Sequence, residues 1–350
     1  MNLLFTKQVL YFRLGELRKI IDILIEGGLK MPPEHRTTLN PSLVKLTCSK
    51  YVSFMEGWNS WLRTQGVEPI TLIGPSGSST YAEQDLITNP TMTYGDVDYL
   101  VSIPVKKSDE AFGERRKKNA ETEKLYVSLL QRFIGMKRDP NVDSLMTLKG
   151  SPLQVIINVD SSTKVQVDTV ITFSESAEWM KGRYTPERGV KGYVTGNLYK
   201  ALGDYLSLSI GTEGVLVRTK DGARVGSNVR AGVVVDLITN DFKRFMLDIS
   251  RYLAPNTKPS QLLTRYPGLD PNAINIGDLS KGIVGLAQTL EQGGIVDAHS
   301  MLTSIHSNFV ENLEKSIARK ESRDLSREKL EQLKQLNTKQ STRVRNIFNV

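Results

Sequence analysis

Residues 96–103 read Asp-Val-Asp-Tyr-Leu-Val-Ser-Ile, and residues 164–171 read Lys-Val-Gln-Val-Asp-Thr-Val-Ile. Both stretches are rich in β-branched and aromatic residues, which is typical of β-strands. Asp96 and Asp98 are separated by one residue, so their carboxylates point to the same side of a sheet. In the second stretch Val165 and Val167 face the core, whereas Gln166 and Asp168 face the opposite side. The sequence therefore predicts strands that carry acidic side chains away from the core.

Carboxylates held in this way have a well-defined chemical use. Asp96 and Asp98 can bridge two divalent cations about 3.5–4 Å apart, the arrangement that serves in-line phosphoryl chemistry. Hard oxygen ligands suit Mg²⁺ or Mn²⁺ and not zinc. A third carboxylate normally completes such a site, and Asp168 is the natural candidate. Taken alone, Asp168 also fits an ordinary strand with one solvated face.

A glycine-rich loop, Gly-Pro-Ser-Gly-Ser-Ser-Thr at residues 74–80, follows the apolar strand predicted over residues 69–73. Phosphate-binding loops occupy this place after a strand. A Walker A loop, however, requires Gly-Lys-Ser/Thr five residues after its first glycine. Those positions hold Ser79, Thr80 and Tyr81, so the lysine is missing. A P-loop nucleotidase is therefore not expected.

Strand and helix signals are mixed along the chain. Two strand-like runs at residues 153–159 and 164–173 are separated by Asp-Ser-Ser-Thr, which predicts a hairpin. Helices are predicted over residues 41–63 and 114–133, and a polar loop is expected before residue 96. Because the elements do not alternate strictly, the pattern favours an α+β fold with a mixed sheet and flanking helices over a doubly wound parallel sheet.

The chain divides into four predicted parts, the last of which is basic. They are an N-terminal helical segment (1–66), a catalytic core (67–175), a mainly helical second domain (176–310) with a β insertion near 211–237, and a basic helical tail (311–350). The tail carries ten basic and six acidic residues and lacks glycine and proline. We expect it to be an arm that binds a polyanion; the alternative is a packed helix with solvated charges.

Three features together resemble the DNA polymerase β-like nucleotidyltransferase superfamily. They are the Gly-Ser pair at residues 77–78 after a strand, the Asp-x-Asp strand, and a later strand with a lone Asp. The resemblance covers roughly residues 70–173. The spacing departs from the family pattern, because seventeen residues separate Ser78 from Asp96. The extra length, residues 85–91, is a candidate loop over the nucleotide.

The resemblance implies a role for each matching residue. Gly77 and Ser78 would hold the triphosphate of a nucleoside triphosphate. Asp96 and Asp98 would bind both of two Mg²⁺ or Mn²⁺ ions, and Asp168 would join them on the ion that activates the acceptor hydroxyl.

A helix after the catalytic strands supplies basic residues that touch the triphosphate or sugar in many members of this superfamily. Lys200, on a helix predicted over residues 196–209, is the preferred single candidate for nucleotide binding here. The alternative is a solvated lysine on a helix surface. Trp58 and Trp61 are three residues apart on a predicted amphipathic helix, so they are interpreted as core residues and not as base-stacking groups.

Composition limits the function classes. The chain has 350 residues, one cysteine (Cys48) and three histidines, which excludes a disulfide framework and a thiolate zinc cage. A reducing, cytoplasmic compartment fits best. No membrane span or signal peptide is expected, since no run approaches roughly 18 apolar residues. The net charge of +8 is compatible with nucleic acid as a partner.

The resemblance thus implies an enzyme that moves a nucleoside monophosphate from a nucleoside triphosphate to an acceptor hydroxyl and releases pyrophosphate. The basic balance favours the 3′ end of a nucleic acid as the acceptor. One alternative is a catalytically inactive nucleotidyltransferase fold that acts as a nucleic-acid-binding or assembly module. Another is an unrelated α+β protein in which the motif is accidental.

Overall fold

The computed structural model describes residues 39–105, 112–136, 141–146, 153–185, 187, 190, 192–217, 236–266, 275–321 and 327–350. Most of the predicted N-terminal helical segment, residues 1–38, and most of the predicted β insertion, residues 218–235, lie outside these ranges. No helix in the described ranges is long and apolar enough to cross a membrane.

A five-stranded sheet forms the first half of the molecule. Its strands are β1 (Thr71–Ser76), β2 (Val97–Ile103), β3 (Val142–Met146), β4 (Leu153–Asn158) and β5 (Lys164–Phe173), in the order β1-β2-β5-β4-β3. The pair β2–β5 is parallel and the other three pairs are antiparallel. The predicted α+β class with a mixed sheet is therefore confirmed.

The predicted hairpin is the pair β4–β5. Its turn is closed by Asp160, whose Oδ1 accepts hydrogen bonds from the backbone N–H groups of Ser162 (2.8 Å) and Thr163 (2.7 Å). Such Asx turns give aspartate its preference for tight connections. Strand β3 was not predicted from the sequence.

Two long helices cover one face of this sheet: α1 (Pro41–Thr64) and α3 (Phe112–Met136). Helix α1 begins where Asn40 accepts a hydrogen bond from the backbone N–H of Leu43, at 2.8 Å. Trp58 and Trp61 are buried in this layer, which agrees with their interpretation as core residues. These helices pack on the sheet face to which Val97 and Val167 belong.

The segment between β1 and β2 differs from the prediction. The strand does not stop at Gly74 but continues to Ser76, because a bulge and a positive φ of 139° at Gly74 carry the chain onward. A 3₁₀ turn (Gly77–Tyr81) and helix α2 (Ala82–Thr88) then replace the expected polar loop.

Helix α2 packs against α1, which explains the difference. The buried carboxylate of Asp85 accepts a hydrogen bond from the Tyr94 hydroxyl, and Lys45 on α1 lies 3.1 Å from Glu83. The proposal that residues 85–91 form a loop over the nucleotide is therefore wrong for the part that is helical.

The second half is mainly helical, as predicted. It contains α4 (Ala177–Arg183), α5 (Gly192–Tyr205), α6 (Phe245–Leu253), α7 (Ser260–Arg265), α8 (Ile276–Gln292), α9 (Ala298–Glu321) and α10 (Arg327–Phe348), with a small sheet of β6 (Leu208–Ile210), β7 (Val215–Val217) and β8 (Leu237–Thr239). The boundary drawn at residue 311 falls inside α9. Val344 and Phe348 of α10 are buried in the core of this half, so the last helix is packed and is not a detached arm.

The two sides of the sheet belong to two different cores. Val97 and Val101 pack with the helices of the first half, whereas Leu100 packs with the core of the second half. Because Asp98 and Leu100 share one face of β2, the acidic face is the one turned toward the second half. Helix α4 packs on β1, β2 and β5 from that side.

Candidate functional site

Three carboxylates meet on the acidic face of the sheet. Asp98 on β2 is the direct register partner of Asp168 on the parallel strand β5, and Asp96 lies just before β2. One carboxylate oxygen from each residue lies within 4.8 Å of the others. The structure therefore brings together the three acidic residues that the sequence singled out.

Electrostatics within this group disfavour three negative charges. The pKa of Asp98 is raised to about 8. Burial is the largest cause, and the neighbouring carboxylates of Asp96 and Asp168 add to it. Burial also raises the pKa of Asp168, which a hydrogen bond from Gln166 partly opposes. Protons or cations must offset this crowding. Hard oxygen donors at such separations fit Mg²⁺ or Mn²⁺.

Gly77 opens the 3₁₀ turn directly beside Asp98. Its φ is +58°, a conformation that glycine adopts readily. An added Cβ would overlap Oδ2 of Asp98 and lie 3.2 Å from its Cγ. The backbone N–H of Gly77 donates to the carbonyl of Tyr184 at 2.8 Å, which ties the turn to the end of α4.

The two serines after Gly77 play different parts. Ser78 is exposed, whereas Ser79 is buried. The Ser79 hydroxyl oxygen accepts a hydrogen bond from the backbone N–H of Asp98 at 3.2 Å and donates to the carbonyl of Asp96 at 3.3 Å. Ser79 thus holds the turn against the start of β2. Sequence reasoning missed it, because nothing in a Ser-Ser pair tells which hydroxyl turns inward.

Two glutamines flank Asp168. Gln166 donates from Nε2 to Oδ1 of Asp168 at 2.6 Å. Gln154 lies opposite Asp168 on β4, is 2% exposed, and its side chain also lowers the pKa of the Asp168 carboxyl. The alternation along β5 had placed Gln166 on the face of Asp168, but only the pairing of β4 with β5 reveals Gln154.

Arg183 brings a positive charge to the end of α4. Its guanidinium carbon lies 5.4 Å from the ring centroid of Tyr184 and 5.8 Å from that of Tyr199. Its Nε is buried and has no hydrogen-bond partner among the described residues. Arg183 directly precedes Tyr184, whose carbonyl binds Gly77, so it neighbours the glycine turn along the chain.

Lys200 makes its contacts elsewhere. Its ammonium group donates to Oδ1 of Asn312 on α9 and lies 3.5 Å from Oδ2 of Asp204. No contact in the described part of the chain joins Lys200 to the three carboxylates or to Gly77. Its role in nucleotide binding stays a prediction.

Comparison with known proteins gives structural matches alone. No protein-family model matches the sequence, and no characterised protein does either. The solved structures it resembles include a ternary P/T complex of Leishmania infantum polymerase beta, at 10% identity and a TM-score of 0.31, over 60% of this chain and 73% of that one. A ternary gap complex of the same polymerase matches at 8% identity and a TM-score of 0.29, over 54% of each chain.

Proposed function

We propose that this chain is a metal-dependent nucleotidyltransferase of the DNA polymerase β-like superfamily. It would move a nucleoside monophosphate from a nucleoside triphosphate to an acceptor hydroxyl and release pyrophosphate. The observation that carries the proposal is the placement of a glycine turn directly against Asp98, within a cluster of three carboxylates whose oxygens lie within 4.8 Å.

The carboxylates are suited to hold two Mg²⁺ or Mn²⁺ ions, Asp96 and Asp98 binding both and Asp168 one. When bound, such cations offset charge on the transferring phosphate and lower the pKa of the acceptor hydroxyl. The chain contributes fixed ligand positions. Asp98 and Asp168 are register partners on adjacent strands, so the sheet sets their separation without the mobility of a loop.

The glycine turn is suited to bind the triphosphate, and the residues at or next to it would contribute in different ways. The N–H of Gly77 is already used by the Tyr184 carbonyl, so Gly77 serves by leaving room beside Asp98. The exposed Ser78 is the residue that offers its hydroxyl to a phosphate. Arg183, which precedes Tyr184 in the chain and lies near the rings of Tyr184 and Tyr199, would supply positive charge to the phosphates.

A nucleic acid is the acceptor class we favour. The support is the net charge of +8, of which +4 lies in residues 311–350. Because α10 packs into the core through Val344 and Phe348, these charges would act as a fixed surface. A folded basic surface can still bind phosphates.

Transfer of label tests the proposal. The full-length chain is incubated with each α-labelled nucleoside triphosphate, Mg²⁺ or Mn²⁺, and separate pools of RNA, DNA and small-molecule acceptors. We expect label and pyrophosphate in one pool, with at least about 100-fold loss in Asp98→Asn, where a metal ligand is removed. Glu314→Gln, which removes an exposed carboxylate on α9, is the control and should retain activity.

The opposite outcome is equally informative. Binding of nucleic acid without transfer in any pool, unchanged in Asp98→Asn, would contradict the enzyme and favour an inactive binding module. Hydrolysis of ATP to ADP would contradict both, since it breaks a different phosphate bond.

A further inference from the structure

Asp168 is oriented by neutral side chains. The Gln166 amide donates to its Oδ1 at 2.6 Å, and Gln154 lies directly opposite Asp168 on the neighbouring strand. The described ion pairs include none with Asp168. Charged side chains are rarely buried without a partner, and the described partner of this carboxylate is a neutral amide.

The sheet register produces this arrangement. Across three adjacent strands the residues Asp98, Asp168 and Gln154 form one row, because each is the direct partner of the next. Gln166 lies two residues before Asp168 and so on the same face of β5. The amides therefore approach Asp168 from along its own strand and from the strand beyond it, on the side away from Asp98.

We propose that Gln166 and Gln154 are positioning residues of the metal centre. They fix the orientation of the Asp168 carboxylate toward Asp98 and Asp96, and they do so without adding charge. This inference rests on the proposed function. Residues that orient a ligand in this way strongly affect metal affinity, although they do not touch the metal.

The choice of an uncharged donor has a physical consequence. A lysine or arginine in either position would also orient Asp168, but its positive charge would repel a divalent cation and weaken binding. An amide gives the hydrogen bond and leaves the full negative charge of the cluster for the cation. The amides therefore orient Asp168 without reducing the negative charge that attracts the cation.

Gln154 gives independent support. Its Oε1 is buried and has no partner among the described residues. An unpaired buried acceptor lowers stability, and methionine of similar size would avoid that cost. Packing alone therefore does not account for a glutamine here, whereas a place directly opposite Asp168, for an amide able to donate to that carboxylate, does.

Metal binding without nucleotide tests the inference. The full-length wild type, Gln166→Met and Gln154→Met are titrated with Mn²⁺ in calorimetry, and thermal melting is recorded with and without Mn²⁺. We expect the Mn²⁺ dissociation constant to rise about 10-fold or more in each variant, because similar orienting partners contribute about 10–100-fold.

Stability without metal separates positioning from folding. The melting temperature of Gln154→Met without metal should be close to that of the wild type, because the substitution removes an unpaired buried acceptor. Gln84→Met, at an exposed position on α2, is the matched control and should bind as the wild type does.

The outcomes separate this inference from the proposed function. If the wild type binds Mn²⁺ and both glutamine variants bind it equally well, the positioning role is overturned and the metal centre stands. An equal loss in Gln84→Met would also overturn it. If the wild type binds no Mn²⁺, both proposals fail together. Should Gln166→Met fail to fold, Gln154→Met and its unchanged melting still decide the matter.

Discussion

A side chain at position 77 would overlap Oδ2 of Asp98, so the glycine turn and the carboxylate are in direct contact. Two constraints require glycine at this position: the lack of space beside Asp98 and a backbone φ of +58°. The turn cannot move away, because the N–H of Gly77 binds the Tyr184 carbonyl and Ser79 binds the backbone of Asp98. The loop and the carboxylate cluster therefore form one rigid unit.

The first prediction follows from this contact. Gly77→Ala should sharply reduce transfer and raise the KM for the nucleoside triphosphate, since the new methyl displaces Asp98. Because alanine is strained at this positive φ, the substitution should also lower the free energy of unfolding by about 1 kcal/mol. Gly66→Ala is the matched control: its φ is +68° and its Cβ would meet no atom within 4 Å. Equal effects of the two substitutions on activity would contradict the contact with Asp98.

The carboxylate cluster leads to a second prediction, on pH. The pKa of Asp98 rises from its ordinary value of 3.8 to about 8 on folding, so between these values the folded chain holds a proton that the unfolded chain has lost. Stability without metal should therefore fall as pH rises from 4 to 8, and remain low above that. Saturating Mg²⁺ or Mn²⁺ should restore it.

Melting curves in chelator at successive pH values check this sign. Asp98→Asn cannot ionise, so its melting temperature should exceed that of the wild type above pH 8 and approach it near pH 4. The same variant should show no stabilisation by Mn²⁺. Parallel pH curves for the two proteins would contradict a raised pKa at Asp98.

Some of this site could be predicted from sequence, because it depends on local alternation. The period of two along β2 and β5 placed Asp98 and Asp168 away from the core, and the hairpin followed from its Asx turn. That these two aspartates are register partners depends on a parallel pairing between strands more than sixty residues apart, which periodicity does not specify.

Two features that the sequence did not indicate have a common physical cause. The segment after Gly77 reads as a polar loop, yet it becomes helical because Asp85 finds Tyr94 and the helix packs on α1. The contact of Lys200 with Asn312 on a distant helix is likewise not indicated by its place in the chain. Long-range partners decide both cases, and no local pattern encodes them.

A third prediction concerns the last helix. Phe348 is 3% exposed in the core of the second half, so Phe348→Ala should lower the free energy of unfolding by about 3 kcal/mol. Lys339→Gln, which removes an exposed charge from the same helix, should leave stability unchanged. Removal of residues 322–350 should lower the melting temperature for the same reason. A truncated chain that melts as the full-length one does would contradict the packed helix.

The last prediction distinguishes two cations, Arg183 and Lys200. Arg183 precedes Tyr184, whose carbonyl binds Gly77, whereas Lys200 is engaged by Asn312 and Asp204. Arg183→Met should raise the KM for the nucleoside triphosphate about 10-fold, because a charged hydrogen bond to phosphate contributes about 1.5–3 kcal/mol. Lys200→Met should change KM little and should instead lower stability slightly. Steady-state kinetics and melting of the two variants, measured side by side, give four values that must follow this pattern. A large KM effect in Lys200→Met with none in Arg183→Met would return Lys200 to the nucleotide site and remove Arg183 from it.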